Sequence, residues 1–472
     1  IPVMVDYKAQ FINFLLETGA LQIGGDRKLK SQRLSPWFVN IGEFNDGKST
    51  TELAGFYANA IIDSGVKANV LYGIPEKGVG LAAPVAMAMA SKGHNVGWLF
   101  SRKDEKTHGE ATNLGPEDKI KKLTVGRAPK LDDAIIQLDD VFTAGNTKYE
   151  ANTFLKSLGR TNLPLVAIAV DRQEVGFDGK NAIEEYEAKT GTKVVSIINA
   201  SEIYNFLKND ALISTEGLEK MANYLRVYGV ESVRKKFSRL EQNIIARDRS
   251  IIPACDVSFE KFIDLIQQTK DIDGIGGYKI PATAGRKGWE NWVETAKEYT
   301  NKPLIYDHQR AGTDIPNTAQ SFMKELKGAR IDSVILFPQA GPETERAWIY
   351  HALDNDLKVI VGGRMTHPAY SVSEGGFITD EGALEMYRIA ARAGINDFVV
   401  PGNKPETIKQ IKEVVEAEGA SPVFYAPGFI AQGGVISEAA KVAGERFHGI
   451  VGTGIYESED MRKAAIEYTS QL

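Results

Sequence analysis

Along this chain, short apolar runs bounded by Gly, Pro, Asp and Ser alternate with longer stretches in which apolar residues return every three or four positions. Runs of the first kind read as strands and stretches of the second as amphipathic helices, so the alternation predicts an α/β protein with largely parallel sheets. In the first part, VKANVLYGIP (66–75), NVGWLFS (95–101), DAIIQLDDV (133–141) and LPLVAIAVD (163–171) are strand candidates. Helical stretches such as TELAGFYANAIIDSG and GLAAPVAMAMASKG separate them, which predicts a doubly wound parallel sheet of four or more strands. Residues 215–250 carry no strand signal, are rich in charge and have helical spacing, and read as a helical connector. From 251 onward eight apolar runs recur: IIPAC, GIGGYKI (274–280), PLIYD (303–307), DSVILF (332–337), KVIVGG (358–363), DFVV (397–400), PVFYAP (422–427) and GIVGTG (449–454). Eight strands with helix-sized segments between them predict a (β/α)8 TIM barrel, whose active site lies at the carboxyl ends of the strands. The expected division is a first domain over 1–210, a connector over 211–247 and a barrel over 248–472.

Composition changes this picture mainly by what it removes. With 472 residues, 43% hydrophobic and 25% charged, the chain has ample material for buried cores, and neither a disordered nor a fibrous reading fits. Lys and Arg number 56 against 62 Asp and Glu, a net charge of −6, so no general positive field draws in a nucleic-acid polymer or an acidic membrane. Any phosphate site has to be local. The single Cys255 makes no intrachain disulfide, which favours a reducing, cytoplasmic setting. The opening segment IPVMVDYKAQFINFLLETGAL does not read as a signal peptide, and no apolar stretch approaches the roughly 18 residues that span a bilayer.

The first candidate chemistry is IIQLDDVFTAGNTKYEA (135–151), an apolar strand ending in two acids, then a loop of small residues, then a helix. A loop of Thr143, Ala144, Gly145, Asn146 and Thr147 leaves backbone N–H groups to cradle a phosphate at a helix start. Asp139 and Asp140 suit ribose hydroxyls or a divalent ion, since carboxylates repel phosphate. The plain alternative is a solvated turn, because Asp, Thr and Gly are turn formers. A second cluster, SRKDEKTHGEATNLG (101–115), gathers Arg102, Lys103, Lys106 and His108; it suits a flap that neutralises a pyrophosphate leaving group, or else a solvated charged loop.

The 135–151 string resembles the phosphoribosyl-binding signature of type I phosphoribosyltransferases. With KLKSQRLSPWFVN (28–40), YGIPEKGVG (72–80) and DRQEVG (171–176), residues 5–205 resemble orotate phosphoribosyltransferase. The resemblance implies transfer of ribose 5-phosphate from phosphoribosyl pyrophosphate to N1 of orotate, with Mg²⁺ on the diphosphate and near Asp139 and Asp140. It puts Lys30 and Lys77 on the pyrophosphate-bearing ligand, Trp37 and Phe38 beside the pyrimidine, and Arg172 on the substrate carboxylate. Arginine suits that bidentate role better than lysine. Asn146 stands where the family commonly has Thr.

In the barrel half, Lys279 closes the second strand and YDHQRAGTDIPNT (306–318) follows the third. Asp256, Lys279, Asp307, Thr366, Gln432 and Thr453 all fall at or just after strand ends, where neighbouring acids and cations shift one another's pKa values as proton-transfer chemistry requires; structural ion pairing is the plain alternative. Residues 248–472 resemble orotidine 5′-monophosphate decarboxylase. Lys279, Asp307 and Asp314 match that family's charged array, with Asp314, Ile315 and Thr318 supplied across a dimer interface. MTHPAY (365–370) puts Thr366 on the base, APGFIAQGG (426–434) puts Pro427 and Gln432 at the phosphate, and GTGIY (452–456) brings Gly452 and Thr453 there. The resemblance implies loss of CO₂ from pyrimidine C6 without a cofactor, Asp307 crowding the carboxylate and a lysine protonating the carbanion.

Two departures qualify it. Six residues separate Asp307 from Asp314 where four are common, and the strong cation among them is Arg310, a poor proton donor. Thr453 replaces a phosphate-gripping arginine, for which Lys287, Arg364 or Lys404 is the candidate substitute, the sequence not deciding which. Together the halves resemble bifunctional uridine monophosphate synthases, taking orotate to orotidine 5′-monophosphate and then to uridine monophosphate in a homodimer or higher homo-oligomer with shared sites. The alternatives are an active transferase joined to a slow barrel that serves as a nucleotide-binding and dimerisation module, a regulatory nucleotide-binding protein, and a barrel acting on other sugar phosphates.

Overall fold

The computed structural model describes residues 6–102, 116–143, 145–281, 288–307, 313–429 and 434–472. The chain forms two compact units, Ile1–Ala222 and Asn223–Leu472, each with its own core.

The first unit opens with α1 (Asp6–Glu17) and a hairpin of β1 (Leu21–Lys28) and β2 (Leu34–Val39), followed by α2 (Gly47–Asp63). Strands and helices then alternate: β3 (Val70–Gly73), α3 (Val79–Ser91), β4 (Gly97–Ser101), α4 (Pro116–Leu123), β5 (Thr124–Gly126), β6 (Ile135–Leu138), α5 (Asn146–Ser157), β7 (Leu165–Asp171), α6 (Ala182–Thr190), β8 (Lys193–Asn199) and α7 (Ala200–Asn209). The sheet order is β5-β4-β3-β6-β7-β8, parallel throughout except for edge strand β5, which is antiparallel to β4. The four strands expected from the apolar runs are β3, β4, β6 and β7. Val70, Leu99, Ile135 and Leu163 form one buried cluster with Leu155 of α5, and a strand covered on both faces reads as a continuous apolar run. The hairpin, β5 and β8 complete the unit. At the carboxyl edge the loop after β3 closes onto the end of β6, and only glycine fits there: a Cβ on Gly78 would collide with the Leu138 carbonyl, and one on Gly73 with that of Gly78. That closure brings Lys77 to the end of β6.

Helix α8 (Thr215–Tyr228) carries the chain from one unit into the other, and α9 (Glu231–Arg234) follows. All eight apolar runs of the second half are strands: β9 (Arg249–Pro253), β10 (Tyr278–Pro281), β11 (Leu304–Asp307), β12 (Ser333–Leu336), β13 (Lys358–Gly362), β14 (Asp397–Val399), β15 (Val423–Ala426) and β16 (Phe447–Val451). Each pairs in parallel with the next, β16 returns to β9, and bridges Ile251–Ile275 and Ala254–Lys279 close the barrel. A helix follows every strand. The interior is filled by Ile252, Ile305, Ile335, Ile360, Val399, Val423 and Ile450, joined by Ile244 and Ile245 from the segment just before β9. Arg239 of that segment donates to the carbonyls of Ala391, Ile395 and Glu418, so residues leading into β9 are part of the barrel's own packing.

Candidate active sites

In the first unit the acid pair is an extension of β6. The Asp139 N–H donates to Ala167 O (3.1 Å) and the Asp140 carbonyl accepts from Ala169 (2.9 Å), so both residues stay bonded to β7 while their side chains turn into the loop. Both are buried. Asp139 Oδ1 accepts the N–H of Asp140 (2.9 Å), and its Oδ2 lies 2.5 Å from Lys148 Nζ. Asp140 Oδ1 accepts the N–H of Val141 (2.8 Å), and its Oδ2 lies 2.7 Å from Lys77 Nζ. Burial raises the pKa of Asp139, against the pull of Lys148. Gly145 begins α5 with φ 79°, where a Cβ would sit 2.9 Å from the Phe142 ring. It offers no side-chain cap, which leaves the opening N–H groups of α5 to solvent or a ligand. Thr143, Asn146 and Thr147 are exposed around that turn, and Ala144 lies outside the described residues. Lys148 is a residue the sequence reading missed; a lysine in a helix's first turn, against the dipole, was the available signal.

Just after β7, Arg172 lies over Trp37 of the hairpin, its guanidinium carbon 3.9 Å from the ring centroid. Its Nε donates to Glu174 (2.8 Å) and an Nη to Ser35 Oγ (3.0 Å). Arg33 donates to the carbonyls of Val175 (2.7 Å) and Gly176 (3.3 Å), tying β2 to the segment that carries Arg172. Glu174, Arg33 and Ser35 were also missed. Trp37 and Phe38, expected together beside the pyrimidine, have different surroundings. Neighbours on a strand point to opposite faces, so Trp37 is fully buried beneath Arg172 while half-buried Phe38 lies beneath Arg27, 5.8 Å away. Lys30 is exposed, and among the described contacts the structure does not join it to the acid pair. Arg102 is held by edge strand β5, its Nε donating to Thr124 O (3.2 Å). Lys103, Lys106 and His108 lie outside the described residues.

In the barrel, the carboxyl ends of three adjacent strands converge. Lys279 Nζ is hydrogen-bonded to Asp307 Oδ2 and stands 3.8 Å from Asp256 Oδ2. Burial works against the lysine's charge, yet Asp307 and Asp256 outweigh it and hold the pKa above the ordinary value. Asp307 Oδ1 is buried with no hydrogen-bond partner among the described residues. Cys255 is buried next to this cluster, and burial pushes its thiol well up, so it stays protonated. Asp314 is not brought to Lys279 within one copy of the chain: it is exposed, accepting the N–H of Ile315 (2.7 Å), and Ile315 is itself exposed, with Thr318 Oγ1 donating to its carbonyl (2.8 Å). The Thr366 carbonyl accepts from Asn403 (3.0 Å) and that of Pro427 from Gly402 (2.8 Å), which links three loops at the mouth. Gly452 caps a short helix, Thr453–Tyr456. Of the proposed replacements for the phosphate-gripping arginine, Arg364 is bonded to Asp380 (2.8 Å) and Ser371, and Lys404 to Glu374. Arg310, Gln432 and Lys287 lie outside the described residues.

No family model matches the chain. The orotate phosphoribosyltransferase of Thiobacillus denitrificans is 38% identical to it over 227 residues, 48% of this chain and 100% of that protein; that of Nitrosococcus oceani is 39% identical over 231 residues, 49% and 99%. The chain belongs to the orotate phosphoribosyltransferase family. The matched part is its first half, which carries the acid pair, the Gly145 turn and the Arg172–Trp37 stack. Among solved structures, an orotate phosphoribosyltransferase from Francisella tularensis covers 47% of this chain and 99% of its own at 29% identity and a TM-score of 0.40. An orotidine 5′-monophosphate decarboxylase from Methanocaldococcus jannaschii, complexed with inhibitor BMP, covers 48% and 99% at 26% identity and a TM-score of 0.42. Among the described residues of this orotate phosphoribosyltransferase family member, no helix is long and apolar enough to cross a membrane. No group of three or more His, Cys, Asp or Glu among them is placed to hold a metal ion.

Proposed function

We propose that the chain catalyses two consecutive steps, joining orotate to ribose 5-phosphate from phosphoribosyl pyrophosphate and then decarboxylating the orotidine 5′-monophosphate so formed to uridine monophosphate. The observation that carries this reading is a full-length match to orotate phosphoribosyltransferases, followed on the same chain by a closed barrel with a charged cluster of its own. In the first step Arg172 takes the orotate carboxylate and the turn from Thr143 to Thr147, with Ala144, Gly145 and Asn146, takes the 5-phosphate. Lys30, Lys77, Arg102 and the flap residues Lys103, Lys106 and His108 neutralise the departing diphosphate, which brings Mg²⁺ as part of the substrate. The acid pair orients the ribose while positive charge develops at its anomeric carbon.

In the second step Asp307, with one carboxylate oxygen unpaired among the described residues, crowds the carboxylate of the bound nucleotide, and that repulsion is relieved as CO₂ leaves. Lys279, held charged, keeps Asp307 in place and is the described cation able to pass a proton to C6; Arg310 adds positive charge without serving well as a donor. Thr366 takes the base, and Pro427, Gln432, Gly452 and Thr453 border the phosphate. A homodimer or higher homo-oligomer supplies Asp314, Ile315 and Thr318 to a neighbour's site, and buried Cys255 suits a cytoplasmic protein. The test supplies orotate, phosphoribosyl pyrophosphate and Mg²⁺ and follows orotate, orotidine 5′-monophosphate and uridine monophosphate separately. Uridine monophosphate is the expected end product. Accumulating orotidine 5′-monophosphate would remove the second step, and undiminished orotate would overturn the reading.

A further inference from the structure

Each acid of the pair at the end of β6 has its own lysine, and the two lysines differ. Lys148 is 4% exposed and is the third residue of α5, where the positive end of the helix dipole opposes a cation. Burying an ammonium there is costly unless its partners are close and complete. They are: Nζ lies 2.5 Å from Asp139 Oδ2, donates to Val141 O at 2.6 Å, approaches Thr147 Oγ1 at 3.4 Å, and stands 5.5 Å from the Phe142 ring centroid. The other oxygen of Asp139 takes the Asp140 N–H, and its carbonyl takes the hydroxyl of fully buried Tyr57 at 2.7 Å. Both carboxylate oxygens of Asp139 are therefore engaged inside the protein. Asp140 differs, because its Oδ2 is met by Lys77, whose side chain is 54% exposed on the loop after β3. An exposed lysine exchanges partners at little cost, whereas a buried one does not.

From this asymmetry we infer that Lys148 is a positioning residue: it withdraws Asp139 from the ligand and leaves Asp140 as the acid that meets the ribose hydroxyls once Lys77 turns to the incoming diphosphate. Val141, Phe142 and Thr147 are set by the same ammonium, so Lys148 also fixes the loop that receives the 5-phosphate. The inference rests on the phosphoribosyltransferase reading of the first unit and divides labour within its acid pair.

The test measures binding of phosphoribosyl pyrophosphate with Mg²⁺ by titration calorimetry, together with kcat and KM, on the full chain and its variants. Asp140→Asn is expected to weaken that binding by about tenfold or more, the loss of one charge-assisted contact, while Asp139→Asn weakens it less than about threefold and acts on kcat and Tm instead. Lys148→Met is expected to lower kcat/KM about a hundredfold by leaving a buried carboxylate unpaired, and adding Asp139→Asn to it recovers about tenfold, since the unpaired charge is then gone. Equal weakening by Asp139→Asn and Asp140→Asn would overturn the inference, as would a double variant no better than Lys148→Met. Where Lys148→Met does not fold, the comparison of the two aspartates, which keeps the lysine, decides. A parent chain that neither binds phosphoribosyl pyrophosphate nor consumes orotate overturns the function and this inference together; an active parent with equal aspartate effects overturns this inference alone.

Discussion

A buried lysine meets an aspartate at the carboxyl edge of both sheets, and the two sites complete the pairing differently. In the first unit two acids face two lysines, and every carboxylate oxygen of Asp139 and Asp140 has a hydrogen-bond or ion-pair partner. In the barrel one lysine, Lys279, faces two acids, Asp307 and Asp256, and one buried oxygen of Asp307 has no partner among the described residues. The first arrangement is electrically complete before substrate arrives, which suits a site whose task is to hold a flexible, highly charged ligand in one geometry. The second, among the described residues, sets two acids against one cation and leaves a buried oxygen of Asp307 without a partner, which on the proposed function suits a site that gains by expelling a carboxylate. On the proposed function, a shared motif of lysine against aspartate serves positioning in one unit and destabilisation of the bound substrate in the other.

Removing the barrel lysine breaks this contrast most severely. Lys279→Met leaves Asp307 and Asp256 without the one cation described beside them, and decarboxylation of added orotidine 5′-monophosphate is expected to fall by about a thousandfold, or about 4 kcal/mol, while orotate consumption continues. A stopped-time assay of each step on the same preparation checks both halves of that statement; a parallel loss of orotate consumption would mean that the variant damages the whole chain.

The opposite end of the barrel sharpens the contrast, because its polar groups serve stability. His448 Nδ1 bonds Ser250 Oγ (2.8 Å), and Asp397 accepts from the Tyr425 hydroxyl and from Gln242, both at 2.9 Å, in a layer at the amino ends of the strands. Burial raises Asp397 from an ordinary 3.8 to about 6 and lowers His448 from 6.5 to about 3. Between pH 4 and 6 an unfolded chain has released the Asp397 proton that the fold still holds, so this group makes stability fall as pH rises, by on the order of 3 kcal/mol in all. Over pH 3 to 6.5 the unfolded chain takes a proton that folded His448 refuses, so that group makes stability rise with pH. The two slopes oppose each other from about pH 4 to 6. Asp397→Asn is expected to unmask the rising slope and His448→Gln the falling one, read from denaturant midpoints across that range.

A smaller effect tests the completeness of the first site. Arg172→Lys removes the planar fork that stacks on Trp37 and bonds Glu174 and Ser35 together. The KM for orotate is expected to rise by about 2 kcal/mol in equivalent terms, with the KM for phosphoribosyl pyrophosphate nearly unchanged. A rise in both would place Arg172 outside the orotate pocket.

Most of the architecture was legible because strands buried on both faces, such as β7 with LVAIAVD, are apolar from end to end. Part of what was missed lacks that signature. Strand β1, LQIGGDRK, is largely exposed and glycine-bearing, and β5 has three residues at a sheet edge. The acids and cations of both sites were visible as residues, but their pairing was not. Lys148 is buried because Asp139, Val141 and Phe142 fold around it, a relation that no local pattern carries. The pairing of Arg364 with Asp380 and of Lys404 with Glu374 was likewise not legible. Trp37 and Phe38 are neighbours in sequence, and strand geometry separates them.

The most direct test of the two-step account uses orotate labelled in its carboxyl carbon, with Mg²⁺ and with or without phosphoribosyl pyrophosphate, and collects the CO₂ released by the purified chain. The account predicts labelled CO₂ only when phosphoribosyl pyrophosphate is present, matched mole for mole by uridine monophosphate. Labelled orotidine 5′-monophosphate accumulating with no CO₂ would contradict it.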